Sequence, residues 1–407
     1  MKIGILTYHC VPNFGAQLQA TSMVGYLKKL GHDPVVLNWY PYDLEERFKK
    51  TVSAEQIRMH DRYTSEYLPI TSLCQSEEQL IDVFNAIDLD AVILGSDALF
   101  KYIPQRERRW FSYRKLKFCQ KTVLSCEDIK ENPFFGGFLS KLKKNIPAVG
   151  FSISSQNCNF KKLNREEKNK IKKMLGNLGV ITVRDEWTKF MVEFITGREN
   201  IRVTPDPVFS FRQNFYGEFP SREKILNKFN LPSNYVLLSF SNRFVPTDYV
   251  GLVAEELLRR GLTPVAFPMP ERLIDHGLAY KVDNPLSPLD WYLLIVYSLG
   301  YIGERMHPIV VSLHNANPFF SFDEYGCKNG VFKKRFDKCS SKTFHIINAA
   351  GLDSNWFPLK GGGAFPPAEQ VVDLLLSFDK RKCRAFAQEK YESFVMELNM
   401  VLESLDR

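Results

Sequence analysis

The sequence predicts an α/β protein built from two Rossmann-like domains with parallel sheets. Short apolar runs such as AVILGS and YVLLSFS alternate with helical patterns, which is typical of parallel strands joined by helices. The chain has 407 residues, 44% of them hydrophobic, which is too long for one core and long enough for two. Residues 211–235 are rich in turn residues and contain no strong strand pattern, so they separate two alternating halves.

The elements can be assigned in order from the apolar pattern. A strand over 2–8 leads into a helix from about Gln17 to Lys29, which Gly31 ends. The apolar face of that helix consists of Leu18, Met23, Leu27 and Leu30. Further strands of the first half are expected at 34–39, 91–96, 148–153 and 180–185. Strands of the second half are expected at 235–241, 263–268 and 301–303.

These elements divide the chain into three parts. We place the domain boundary near Gln213, so that residues 1–213 form an N-terminal Rossmann-like domain and residues 214–384 form a C-terminal one. Residues 385–407 are predicted to be a long helix that could cross back to the first domain. Because open parallel sheets bind ligands at the carboxyl ends of their strands, both halves should supply loops to a site.

Composition excludes several classes of protein. The eight cysteines include no CxxC pair, which argues for reduced thiols and against a structural zinc site. The apolar run LDWYLLIVYSLGYIG is shorter than the ~20 residues that cross a bilayer, and the opening residues MKIGILTYHC read as a strand rather than a signal peptide. We therefore expect a cytoplasmic protein. Its net charge of +8 favours acidic partners without selecting among them.

Much of the positive charge lies in residues 101–121, where basic and aromatic side chains are interleaved. One interpretation is a solvated helix or loop whose aromatic residues pack inward. The other is a contact with an anionic membrane, at its inner face, or with a lipid-linked substrate. A nucleic-acid partner is not expected, because no recognised nucleic-acid motif accompanies this segment.

The loop after the first strand contains Asn13, Gly15 and Gln17, in HCVPNFGAQLQA. Asn13 and Gly15 permit a tight turn, and the backbone N–H groups that begin the next helix could receive an anion or a polar sugar. The alternative is a turn whose glycine only allows close packing. A dinucleotide-binding fingerprint is excluded, because the GxGxxG pattern is absent.

Two further strand ends carry polar side chains. Ser96 and Asp97 follow AVILG, where a hydroxyl and a carboxylate can bind a sugar diol or cap a helix. Arg184 ends the strand VITVRD, where it can pair with Asp185 or bind a carboxylate or phosphate. The residues alone leave both alternatives open.

Arg305 and His307 lie between two apolar runs, LDWYLLIVYSLGYIG and PIVVSLHNANPFFSF. A cation and an imidazole two residues apart, at the end of a buried strand and the start of a helix, can present an anion to reactive groups. A histidine between apolar runs is also common as a hydrogen-bonded core residue. We expect the chemistry at this segment.

In this order, these blocks resemble the polysaccharide pyruvyl transferase family. The matching blocks are NFGAQLQATSMVGYLKKLGHDPVVLNW, ILGSD, GFSISSQ, ITVRDE, VTPDPVF and RMHPIVVSLHNANPFFSFDEYG, which extend from the start of the chain to about Leu352. Two features depart from the family pattern. Ala98, Leu99 and Phe100 follow the GSD block, which affects acceptor recognition, and Pro308 follows the histidine, where proline suits a first helical turn.

The resemblance implies transfer of a pyruvyl group from phosphoenolpyruvate to a sugar of a surface polysaccharide or its lipid-linked repeat unit, forming a cyclic ketal. It implies a GT-B-like fold, with two domains facing each other across a cleft, and no metal or other cofactor. By motif matching, Arg305 and His307 correspond to donor-site residues, and Arg184 to a second donor-site arginine. We assign His307 and Asp97 as catalytic residues. The acceptor side would include Asn13, Gly15, Gln17, Ser96 and Asp97.

The chemistry leaves the role of His307 open. The imidazole could protonate the methylene carbon of phosphoenolpyruvate or hold its phosphate as an imidazolium, while Asp97 is a candidate base for the acceptor hydroxyl. Two other functions are compatible with the same scaffold. One is a GT-B nucleotide-sugar glycosyltransferase, and the other is a non-catalytic carbohydrate-binding protein.

Overall fold

The computed structural model describes residues 1–112, 116–120, 125, 132–156, 158–324, 327–329, 335–360 and 363–405. Two six-stranded sheets, in which every strand pairing is parallel, form its framework. The first sheet comprises β1 (Lys2–Leu6), β2 (Asp33–Val36), β3 (Ala91–Leu94), β6 (Ala148–Ile153), β7 (Ile181–Val183) and β8 (Arg202–Val203). The second comprises β9 (Tyr235–Ser239), β10 (Thr263–Ala266), β11 (Tyr280–Lys281), β12 (Tyr301–Gly303), β13 (Phe319–Asp323) and β16 (Trp356–Pro358). Two antiparallel hairpins add β4 (Arg109–Ser112) with β5 (Lys117–Gln120), and β14 (Cys327–Asn329) with β15 (Arg335–Asp337).

Helices connect the strands. Those before the second sheet are α1 (Phe14–Lys29), α2 (Tyr42–Thr51), α3 (Ala54–Tyr67), α4 (Glu77–Ala86), α5 (Gln105–Arg108), α6 (Arg165–Leu175), α7 (Glu186–Thr196), α8 (Phe211–Asn214) and α9 (Arg222–Phe229). Those that follow are α10 (Thr247–Arg259), α11 (Pro288–Tyr297), α12 (Met306–Asn315), α13 (Lys342–Ala349), α14 (Ala368–Leu376) and α15 (Lys380–Glu403).

The strand order places one crossover point in each sheet. The orders are β2-β1-β3-β6-β7-β8 and β11-β10-β9-β12-β13-β16, so β1 and β9 lie inside their sheets with neighbours on both sides. Both central strands are almost completely buried, because helices cover both faces of a parallel sheet. The carboxyl ends of β1 and β3 in one sheet, and of β9 and β12 in the other, supply the loops described below. The expected α/β class with parallel sheets is therefore confirmed.

Helix α1 lies between the two sheets and is buried over nearly its whole length. Phe14 and Leu18 join the core of the second half with Trp291, while Met23 and Leu27 pack in the core of the first sheet. The helix begins at Phe14, three residues before the predicted start, because Asn13 caps it by accepting a hydrogen bond from the N–H of Ala16.

Helix α15 contributes side chains to both cores. Cys383 and Phe386 near its start belong to the core of the second half, and Phe394 and Leu398 further along pack against the first sheet. The first sheet ends at β8 and the second begins at β9, and Gln213 lies in α8 between them. The proposed division into 1–213, 214–384 and 385–407 stays a prediction, with α15 beginning at Lys380 in the structure.

Helix α3 fixes the first half against the second. The buried Gln56 side chain donates to the carbonyl of Leu286 at 2.7 Å and accepts from its N–H at 2.8 Å. Nearby, Phe14 stacks between His60 and Trp291, with ring centroids 4.9 and 5.2 Å apart. These contacts hold the carboxyl ends of the two sheets close together, across a cleft.

Candidate active site

A cavity of about 310 Å³ lies between the two halves, at the carboxyl ends of their strands. The first half supplies the loop after β1, with Asn13 and Gly15, and the loop after β3, with Asp97. The second half supplies Arg305 and His307 from the segment that joins β12 to α12, together with several other lining residues, which include Met269, Trp291 and Lys342. Parallel α/β folds bind their ligands at this position.

Arg305 and His307 reach the cavity because β12 ends and α12 begins there. Glu304, which is buried, accepts hydrogen bonds from the N–H and hydroxyl of Ser241 at 3.0 and 2.7 Å, so the turn is tied to the loop after β9. Arg305 is the N-cap residue, and its guanidinium contacts the sulfur of Met269 at 2.9 Å and lies 3.9 Å from the carboxylate of Glu324. The positive end of the α12 dipole adds to the charge of Arg305.

His307 packs directly on Gly15, the second residue of α1. A Cβ atom at Gly15 would overlap the imidazole ring, so glycine allows the two halves to approach at this point. Burial lowers the pKa of His307 to about 4, although Asp97 and Asp206 oppose that effect. The ring is therefore neutral at pH 7, and its Nε2 has no hydrogen-bond partner among the described residues.

Asp97, Arg184 and Asp206 form a buried charged cluster. Arg184 Nη1 donates to Asp206 at 2.6 Å, and Nη2 lies 3.7 Å from the Asp97 carboxylate. Burial would raise the pKa of Asp97, but the Arg184 cation and neighbouring positive groups hold that pKa below its usual value. Asp97 therefore stays ionised at the wall of the cavity. Within the described part of the chain, Nε and Nη2 of Arg184 lack a hydrogen-bond partner.

Lys342, the first residue of α13, completes the charged lining. It lines the main cavity and also a second cavity of about 60 Å³, which is bounded by Arg184, Asp206 and His345. The side chain is buried, and burial together with the Arg184 cation lowers the pKa of Lys342 to about 8. It remains mostly protonated at pH 7, so a cation lies between the two cavities.

The described residues contain no group of three or more histidine, cysteine, aspartate or glutamate side chains that could hold a metal ion. The side chains of Arg305 and Lys342 and the N-terminus of α12 bring positive charge to the cavity. In the same part of the chain, no helix is both long and apolar enough to cross a membrane.

The model of the family described as polysaccharide pyruvyl transferase matches residues 13–324. The chain belongs to this family. The matched range begins at Asn13 and ends one residue after β13, so it includes Asn13, Asp97, Arg184 and His307 but not Lys342. A comparison with curated protein sequences gives no match.

Solved structures with similar folds are GT-B-type enzymes. UDP-N-acetylglucosamine 2-epimerase from Rickettsia bellii has a TM-score of 0.54 and 12% identity, over 100% of this chain and 96% of that one. UDP-GlcNAc 2-epimerase from Neisseria meningitidis, bound to UDP-GlcNAc, has a TM-score of 0.54 and 9% identity, over 99% and 100%. A ugt transferase from Siraitia grosvenorii in complex with UDP has a TM-score of 0.50 and 11% identity, over 100% of both chains. At these identities the likeness shows the fold alone, which is GT-B-like.

The structure brings together some of the residues expected for the site. Asn13, Gly15, Asp97, Arg305 and His307 line the main cavity. Arg184 lines the smaller cavity, and its Nη2 lies 3.7 Å from the carboxylate of Asp97, which lines the main one.

Gln17 and Ser96 do not line the main cavity, because the side chain of each forms buried hydrogen bonds within the first half. The amide of Gln17 donates to the carbonyl of His60 at 3.0 Å and to the hydroxyl of Thr64 at 2.8 Å, which ties α1 to α3. The hydroxyl of Ser96 donates to the carbonyl of Ser152 at 2.8 Å, so it joins the loop after β3 to β6.

Sequence reasoning missed Lys342 and Asp206. Asp206 lies in the VTPDPVF block, which carries part of the family resemblance, but no role was predicted for its carboxylate. Lys342 carried no signal of its own, because a lysine after CSS looks like an ordinary surface residue. Its burial depends on the packing of α13 against the first half, which only the folded chain shows.

Proposed function

We propose that the protein transfers the pyruvyl group of phosphoenolpyruvate to a sugar of a surface polysaccharide or its repeat unit, forming a cyclic ketal. The observation that carries this proposal is the convergence of Arg305, His307 and Lys342 on one cavity of a pyruvyl transferase family member. Phosphoenolpyruvate carries a carboxylate and a phosphate on the same carbon, C2, so its binding needs several cationic or N–H donors in one place.

The donor would lie along the C-terminal side of the cavity. Arg305 and the N-terminus of α12 would neutralise one anionic group at the exposed side, and Lys342 the other at the buried side. Arg184 would act less directly, because it lines the smaller cavity with Lys342 and its cation keeps Asp97 ionised. In this arrangement the cations stand in for the positive charge that a metal ion would otherwise supply.

His307 is placed to deliver a proton. In the free protein burial keeps it neutral, because its pKa is about 4. A bound trianionic or dianionic donor would raise that pKa, so donor binding at neutral pH would draw a proton onto the ring. The imidazolium would then protonate the methylene carbon of phosphoenolpyruvate, which leaves a methyl group and an oxocarbenium-like centre at C2.

The acceptor would approach from the side of Asp97 and Asn13. A sugar hydroxyl attacks C2 and gives up its proton to a base, for which the ionised Asp97 carboxylate is the candidate. Phosphate then leaves, and a second hydroxyl of the same sugar attacks C2 and loses its proton. One of the two hydroxyl protons replaces the proton taken from His307, and the other leaves with the phosphate.

The test is to incubate the protein with phosphoenolpyruvate and a panel of aryl glycosides and lipid-linked sugars. The proposal predicts phosphate release and a product whose mass shows one ketal-linked pyruvyl group. His307→Ala should lower turnover by about 100-fold or more if the imidazole is the acid. Release of a nucleoside diphosphate from a sugar nucleotide would identify a glycosyltransferase instead. Saturable sugar binding without turnover of either donor would identify a carbohydrate-binding protein.

A further inference from the structure

The basic and aromatic segment forms an antiparallel hairpin. Strands β4 and β5 pair so that Phe111 lies opposite Phe118, with ring centroids 5.3 Å apart. Leu116 and Phe118 are each 79% exposed, and Phe111 is 39% exposed. Leu116 and Phe118 are the two most exposed large hydrophobic side chains among the described residues. Exposed apolar groups clustered on one hairpin indicate an interaction surface.

The base of the hairpin is fixed to the body of the protein. Arg108 donates to the carbonyl of Ile103 at 2.8 Å and lies 3.5 Å from the carboxylate of Glu167. Glu107 accepts from Lys162 at 2.8 Å. Arg108 therefore anchors the base of the hairpin.

Residues on both sides of the hairpin in the sequence line the main cavity. Lys101, which precedes the hairpin, and Ser125, which follows it, both line that cavity. Each strand has four residues and spans about 13 Å, so the hairpin is short. Whatever the hairpin contacts would therefore lie close to the entrance.

The charge of the segment indicates the kind of partner. Residues 101–121 contain eight basic residues and one acidic residue, and that acidic residue, Glu107, is already paired with Lys162. Arg106 in α5 is exposed, and so is Lys117, which lies between Leu116 and Phe118 in the sequence. Aromatic and leucine side chains together with cations match a bilayer surface that carries anionic lipid, because the apolar groups enter the headgroup region while the cations stay outside it.

We infer that the hairpin of β4 and β5 docks on an anionic membrane surface and holds the cavity entrance there. The inference goes beyond the proposed function, on which it rests for the acceptor, since it names the surface at which a lipid-linked sugar would reach the cavity. Leu116 and Phe118 enter the headgroup region, and Arg106 and Lys117 contact anionic headgroups. A sugar attached to a lipid in the same surface would then reach the cavity past Lys101.

The test is co-sedimentation of the full chain with vesicles of phosphatidylcholine alone and of phosphatidylcholine with phosphatidylglycerol. The wild type should bind the anionic vesicles at low salt and release at high salt. Leu116→Ser with Phe118→Ser should reduce binding by about tenfold or more, and Lys117→Glu should reduce it further. The matched control is Leu252→Ser with Phe190→Ser, which changes the same residue types at exposed helical positions and should bind as the wild type does.

Two results would overturn the inference. One is no sedimentation of the wild type with anionic vesicles at low salt. The other is a dimer in solution that the Leu116→Ser, Phe118→Ser variant dissociates, because the hairpin would then be a contact between two copies of this chain. Vesicle binding uses no phosphoenolpyruvate, so it can succeed or fail independently of the proposed reaction. Transfer to a soluble glycoside should be nearly unchanged in all these variants.

Discussion

Replacing Lys342 by methionine should make the protein more stable while weakening donor binding. The side chain is buried, and burial together with the Arg184 cation lowers its pKa from 10.5 to about 8. That lowering corresponds to about 3 kcal/mol, at about 1.36 kcal/mol for each pKa unit, by which the charged ammonium group destabilises the folded chain at pH 7. Methionine has a similar unbranched shape and no charge. Lys342→Met should therefore raise the free energy of unfolding by up to about 3 kcal/mol.

The pH dependence of this effect has a definite sign. Below pH 8 the lysine is protonated in both the folded and the unfolded chain, so its destabilising effect is complete. Between pH 8 and 10.5 only the unfolded chain keeps the proton, and the wild type regains stability relative to the variant. The difference should fall to about 1 kcal/mol at pH 9.5. Urea denaturation at pH 7 and pH 9.5, followed by circular dichroism, measures it.

Lys338→Met is the matched control, because Lys338 is exposed four positions earlier and should change the free energy of unfolding by less than about 0.5 kcal/mol. A Lys342→Met variant less stable than the wild type at pH 7 would refute the reasoning. A stability difference that does not shrink at pH 9.5 would refute it as well. On the same preparations, the methionine variant should bind phosphoenolpyruvate at least about tenfold more weakly, since a charge-assisted contact is lost.

Three other predictions follow from particular contacts. Gly15→Ala would push a Cβ atom into the His307 ring, so it should lower turnover and destabilise the protein by about 1–3 kcal/mol. The control is Gly251→Ala in α10, where no described atom lies within 4 Å of the new Cβ, and it should stabilise the protein by up to about 1 kcal/mol. Thermal denaturation of both variants measures the difference. Donor binding near pH 7 should be accompanied by proton uptake in the wild type and by less uptake in His307→Gln, because the free imidazole is neutral with a pKa of about 4. Calorimetry in two buffers of different ionisation enthalpy measures the uptake. Equal uptake by the two proteins would contradict this prediction. Gln56→Ala removes the hydrogen-bond partner of the N–H and carbonyl of Leu286, so it should lower the free energy of unfolding by about 1–3 kcal/mol. Gln388→Ala, at an exposed position, should change that free energy little. Urea denaturation measures both.

Much of the fold could be predicted from the sequence because buried parallel strands form continuous apolar runs. The runs at AVILGS, AVGFSI and YVLLSFS correspond to β3, β6 and β9. Short strands at the sheet edges were missed, because β8 and β11 have two residues each and carry no apolar pattern. The hairpin of β4 and β5 was also missed, since its interleaved charges fit a solvated loop equally well.

The site was predictable where its residues are adjacent in sequence. Arg305 and His307 lie two residues apart at a strand end, and both reach the cavity. Residues that meet only through tertiary packing gave no such signal. The position of α13 brings Lys342 to the same cavity as Asp97 and His307. The side chain of Gln17 is directed to α3 by its hydrogen bond to His60, which is more than forty residues away in the sequence. Polarity at a loop therefore identified candidates, while the direction of each side chain depended on the packing of distant helices.

Calorimetric titration of phosphoenolpyruvate into the protein without an acceptor shows whether this cavity binds the proposed donor. We expect saturable binding to the wild type and no measurable binding of UDP-GlcNAc under the same conditions. Arg305→Ala should raise the Kd by about 10- to 150-fold, since a hydrogen bond to a charged group contributes about 1.5–3 kcal/mol. An unchanged Kd in Arg305→Ala, or saturable binding of UDP-GlcNAc in place of phosphoenolpyruvate, would contradict the account.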